Sequence, residues 1–148
     1  MKRLITALLA AAILFAVPVM AKVEVLPGIA FLGSTTPAIS FGALVDTSAG
    51  TFGAQLFVGF DYFILTFRQY PWSFAFEDFS IPVFLGLGGI TLSDNGGQFL
   101  AGLYAEAGIR LLHFMSVNFS ISHFGYVRSV SLGVEVHFAL ELGGDTGG

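Results

Sequence analysis

Charge is scarce in this chain. Acidic and basic residues together make up 11% of its 148 residues, against about 25% in soluble domains. A domain this poor in charge has little with which to cover a water-facing surface, so the composition points to a membrane. A mean hydropathy of +0.82 agrees. Lysine occurs only at positions 2 and 22. No basic face can be assembled, which excludes a nucleic-acid partner. Cysteine is absent, which excludes a disulfide framework and thiol chemistry. His113, His123 and His137 have no metal-ligand spacing, and no glycine loop resembles a phosphate cradle. The expectation is therefore no metal and no cofactor.

The N-terminus has a separate logic. Met1-Lys2-Arg3 is a short basic region, and Leu4 to Val19 is mostly apolar. Val19-Met20-Ala21 supplies small or apolar residues at cleavage positions. This is the pattern of a secretory signal peptide, with cleavage expected after Ala21. The run is short for a retained transmembrane helix, and Pro18 sits near its end. Losing Lys2 and Arg3 takes the net charge of −4 two units lower.

What remains alternates. In Thr51 to Phe60, Phe52, Ala54, Leu56, Val58 and Phe60 share one face, and Thr51, Gly53, Gln55, Phe57 and Gly59 the other. Ile39, Phe41, Ala43 and Val45 interleave with Ser40, Gly42, Leu44 and Asp46. Met115, Val117, Phe119 and Ile121 interleave with Ser116, Asn118, Ser120 and Ser122. Val130, Leu132, Val134, Val136 and Phe138 do the same near the C-terminus. A period of two over several segments means strands with unlike faces, not transmembrane helices. Turn signals at 33–37, 47–50 and 93–97 punctuate them. The expected strands are 25–32, 38–46, 51–60, 62–69, 79–92, 98–110, 114–124 and 129–140. Eight strands allow an antiparallel sheet to close with both termini at one end. Pro27 and Pro82 each remove a ladder donor and mark a strand end or bulge. The stretch 68–78 leaves three readings open: an interfacial loop, an extension of a neighbouring strand, or an extra strand.

Two eight-stranded barrels have such alternation. A soluble barrel puts its apolar face inward and a Lys- and Glu-rich face outward. A membrane barrel puts its apolar face toward lipid and fills a narrow lumen with the other. Here the second face is Gly, Ser, Thr, Asn and Gln with few charges. The expected fold is all-β: a closed antiparallel transmembrane β-barrel over residues 22–142, preceded by a signal peptide (1–21) and followed by a Gly-rich tail (143–148).

A resemblance points the same way. Ser131, Gly133, Val136 and Phe138 in "SLGVEVHF" resemble the C-terminal assembly signal of bacterial outer-membrane proteins, although "ALELGGDTGG" follows it here. "FSIPVFLGLGGITL" (79–92) and "YAEAGIRLL" (104–112) are similar to uncharacterised small outer-membrane β-barrels of Gram-negative-type bacteria. That resemblance implies location in the outer membrane, membrane lipid as neighbour, the barrel-assembly machinery as partner during biogenesis, and a monomer.

The inner face carries the candidate site. Gln55, Arg68, Tyr104, Glu106, Arg110, Glu135 and His137 are expected to form a polar network plugging the lumen, because charges there must pair. Tyr62, Tyr70, Trp72, Phe74, Phe76 and Tyr126 are expected to form an interfacial aromatic girdle. A structural, envelope-maintaining role without catalysis is the leading expectation. A narrow channel for ions or small solutes is the first alternative. A lipid-modifying enzyme, using His123 or His137 with Ser120 or Ser122 and Glu135, is the second.

Overall fold

A computed structural model describes residues 22–33, 37–93, 97–125 and 127–142. The expected signal segment, Tyr126 and the Gly-rich tail lie outside the described residues. Nine strands follow one another: β1 (Lys22–Leu32), β2 (Pro37–Thr47), β3 (Gly50–Val58), β4 (Tyr62–Ala75), β5 (Ser80–Ser93), β6 (Phe99–Leu111), β7 (Met115–Phe124), β8 (Val127–His137) and β9 (Leu140–Leu142). There is no helix among the described residues. Each of β1 to β8 pairs antiparallel with the next, and β8 returns to β1, so eight strands form a ring.

β9 completes the edge of β1 rather than adding a ninth stave. β8 pairs Gly28 with His137, and β9 pairs Val25 with Leu140. The register is the same on both sides of the gap, so β8 and β9 are one strand with an interruption. Its cause is Pro27. Phe138 N–H donates to the Pro27 carbonyl at 2.9 Å, and Pro27 has no N–H to return.

The ring is staggered. Passing from partner to partner, Lys22 leads to Asp46, Thr51 and Tyr70. Leu32, in the opposite sense, leads to Gly133, Asn118, Gly108 and Phe84. The Tyr70 and Phe84 rings lie 5.5 Å apart. The two routes thus meet from starting points ten residues apart on β1. A stagger of ten over eight strands tilts them by roughly 40° and sets a backbone radius of about 8 Å. Such an interior holds side chains and little else.

The two faces differ as their composition requires. The outer face exposes Ile39, Phe41, Phe67, Leu87, Leu103, Phe119, Leu132 and many others. The interior buries Ser40, Gln55, Thr66, Arg68, Glu106, Ser116, Asn118, Ser120, Glu135 and His137. A small apolar cluster, with Ala30, Ala38, Phe57, Ile64, Ile90 and Tyr104 buried, shares the interior with them. Inward glycines make room for the larger interior side chains. A Cβ on Gly86 would stand 2.7 Å from Glu106, and one on Gly108 would stand 2.4 Å from the Phe84 ring.

The ambiguous stretch 68–78 is an extension of its neighbouring strand. β4 continues to Ala75, turns tightly through Glu77 and Asp78, and returns as β5, with Phe76 N–H donating to the Phe79 carbonyl at 2.8 Å. Between Gln69 and Trp72 the β4–β5 register shifts by a bulge. An extra residue on one strand reverses which side chains face out. Phe63, Leu65 and Phe67 are exposed before it; Trp72, Phe74 and Phe76 are exposed after it. Beyond Tyr70 on one edge and Val83 on the other, this hairpin pairs with neither β3 nor β6 and extends past them as a wing, its β5 side facing Arg110, Leu111 and His113 across a cavity of about 390 Å³. It stands at the end of the barrel that carries Lys22 and Leu142.

Candidate functional site

Arg68 is the centre of the lumen. It points inward from β4, and its side chain is 2% exposed. Its Nε donates to Glu106 Oε1 at 2.6 Å and one terminal nitrogen to Glu106 Oε2 at 2.9 Å, a bidentate pair. The same nitrogen donates to Glu135 Oε1, and the other to Glu135 Oε2 at 3.1 Å. Glu106 lies two strands away on β6, reached over Gly86. Glu135 lies on β8, four strands away in a ring of eight, hence on the opposite wall. The guanidinium therefore bridges the lumen. Asn118 Nδ2 also donates to Glu106 Oε2, and the Tyr104 hydroxyl reaches the same oxygen at 3.5 Å.

Aromatic rings complete the seal. The guanidinium carbon sits 4.3 Å from the Phe84 ring centroid and 5.5 Å from that of Phe57. Ring faces attract a cation and exclude water from it. One guanidinium thus serves two carboxylates in a nearly dry interior. Removing one member of a buried ion group leaves an unpaired charge, which costs about 3–5 kcal/mol.

The remaining inner-face candidates separate from this cluster. Arg110 pairs with Glu24 at 3.0 Å near the termini and also donates to the His113 carbonyl at 3.1 Å. Gln55 and His137 are buried, yet Gln55 Nε2 and both His137 ring nitrogens make no hydrogen bond. Of the seven residues, the structure brings together Arg68, Tyr104, Glu106 and Glu135. Sequence reasoning missed Asn118, Glu24, Phe57 and Phe84. Asn118 had a usable signal, since it shares the polar face of β7 with Ser116 and Ser120, and β7 pairs with the strand that carries Glu106.

The aromatic set divides too. Trp72, Phe74 and Phe76 are exposed on the wing. Tyr62 and Tyr70 instead turn inward. Tyr62 packs against the apolar cluster beside Leu32, Leu92 and Phe124, and Tyr70 lies against Phe84. Each stands on the inner-face side of β4 by alternation, which overrides its position near a strand end. In the C-terminal motif, Ser131 and Gly133 point inward, whereas Val136 and Phe138 are exposed.

Two vestibules flank the cluster. One, of about 120 Å³ at the end with the termini, is lined by Lys22, Glu24, Asp46, Tyr70 and Arg110 among others. The other, of about 260 Å³ at the opposite end, has an apolar wall including Leu32, Ile64 and Ile90 and a hydroxyl wall of Ser120, Ser122, Ser129 and Ser131. Ser122 and His123 are consecutive on β7 and so point to opposite faces. His137 lies toward the other end from Ser122. No group of three metal-ligating side chains occurs among the described residues. Comparison of the chain with protein-family models, with curated proteins and with solved structures finds no match.

Proposed function

We propose that this chain is an integral outer-membrane β-barrel whose lumen is plugged by the Arg68–Glu106–Glu135 cluster, and that its role is structural, within the cell envelope. One observation carries the reading: the molecule is apolar outside and polar inside. Phe41, Phe67, Leu87, Leu103 and Leu132 are each more than half exposed, while Arg68, Glu106, Glu135 and His137 are at most 5% exposed. Monomeric soluble proteins rarely expose large contiguous apolar patches. Lipid satisfies such an exterior, and a closed ring leaves no unpaired sheet edge within it. The signal-like N-terminus and the C-terminal motif support export and delivery to the assembly machinery.

The test is refolding of residues 22–148 into detergent. A strand-rich circular dichroism spectrum and a gel mobility that changes on boiling are expected. A helical spectrum, or refolding to a soluble monomer without detergent, would end this reading.

The two vestibules favour a second reading, a narrow channel gated at the ion cluster. Planar bilayers separate the two. The plugged barrel is silent; a steady current that changes with Glu106→Gln belongs to a channel.

A further inference from the structure

We propose that the β4–β5 wing is a membrane-surface anchor, lying along the headgroup boundary of a zwitterionic phospholipid leaflet with Trp72, Phe74, Phe76 and Phe79 inserted. This deepens the membrane-barrel reading above and rests on it. Four observations converge on that placement.

The first is length. β4 and β5 have 14 residues each, more than any other strand. At the tilt set by the stagger, 14 residues rise about 35 Å. The apolar band of a membrane barrel is about 25 Å tall. The last ten or so ångströms of this hairpin therefore emerge at headgroup level. The second is the free edges. β3 pairs with β4 only as far as Tyr70, and β6 with β5 only as far as Val83. Unpaired backbone groups are not tolerated against hydrocarbon, so the wing stops short of it.

The third is the bulge. Without it, alternation would turn Trp72, Phe74 and Phe76 toward the barrel axis. With it they continue the outer face of Phe63, Leu65 and Phe67, and Phe76 stacks on Phe79 at 4.7 Å. The inward side of the wing is Ser73, Ala75, Ser80 and Pro82. Aromatic side chains, Trp above all, favour the boundary where an apolar body meets a wet rim. The fourth is charge. The tip is Glu77-Asp78, and no basic residue occurs between Arg68 and Arg110. An acidic tip is repelled by an anionic surface, which selects a zwitterionic leaflet.

Trp72 is the single tryptophan, so its fluorescence reports the wing alone. The full-length mature chain is refolded into phosphatidylcholine vesicles carrying bromine at shallow or deep acyl positions. A control places the probe on the barrel wall with Phe67→Trp in a Trp72→Phe background. Expected for Trp72 are blue-shifted emission, at least twofold stronger quenching by shallow than by deep bromine, and weak quenching by aqueous iodide. Exchanging half the lipid for phosphatidylglycerol should raise access to acrylamide, an uncharged aqueous quencher that an anionic surface does not repel. Expected for the control is stronger quenching by deep bromine. Strong iodide quenching of Trp72 with a deep control overturns the anchor and leaves the barrel standing. Trp72 shielded from both quenchers and dependent on protein concentration assigns the wing to a second copy instead. A control that no bromolipid quenches overturns both readings.

Discussion

At the residue scale, one arginine organises the lumen. Among the described residues Arg68 is the one cation placed between Glu106 and Glu135, and it bonds both. Arg68→Ala strands two carboxylates in a dry interior, so a loss of about 3–5 kcal/mol is expected. The midpoint of reversible urea unfolding in vesicles measures it. Arg68→Lys should recover only part, because an ammonium has no planar fork to meet two carboxylates at once. Packing is equally local. A Cβ on Gly42 would meet Gln55 Oε1 at 1.9 Å, and the Gln55 amide nitrogen makes no hydrogen bond. Gly42→Ala is expected to cost about 1–3 kcal/mol by overpacking. In a Gln55→Ala background most of that cost should vanish, and a double-mutant cycle reads the difference. An undiminished cost would place the clash in the backbone.

At the element scale, closure depends on β1. It pairs with β2 on one side and with β8 and then β9 on the other. Pro27 leaves one ladder bond unmade at that seam. Pro27→Ala restores a donor facing Phe138, whose N–H already bonds the Pro27 carbonyl. A gain of about 0.5–1.5 kcal/mol is expected, together with slower amide exchange at Phe138. A loss would mean that the fixed φ of proline, rather than its missing donor, matters at the seam. The bulge in β4 is the second device at this scale. Two residues decide whether a whole aromatic run faces the axis or the exterior.

For the whole molecule, the governing question is what surrounds it. Leu103 is 70% exposed in the middle of β6. In lipid, Leu103→Lys should cost about 2–4 kcal/mol; in water, a surface change of this kind stays within roughly 0.5 kcal/mol. Urea unfolding in vesicles distinguishes the two. The exterior of apolar side chains and the interior of paired charge are one design. Inverting the faces would turn the many outward phenylalanines into a lumen of about 8 Å radius that holds only a few rings, Phe57 and Phe84 among them, and would put Arg68 out of reach of Glu135.

The alternation determined most of the architecture by itself. Period-two patterns and turn signals fix which residues share a face and roughly where each strand ends, because strand geometry is local. That is why the eight staves, the closed antiparallel ring and the inward placement of Arg68, Glu106 and Glu135 were all legible. What only the tertiary structure decided depends on stagger. Arg68 and Glu135 meet because a shift of ten residues over eight strands sets them at one height on opposite walls, and no local pattern encodes that shift. The same holds for the separation of Arg110 from the central cluster and for Asn118 within it. Trp72, Phe74 and Phe76 reach the outer face through a bulge, and one extra residue in a ladder leaves no mark on composition. Tyr62 and Tyr70 turn inward because parity, not nearness to a strand end, sets the direction of a side chain.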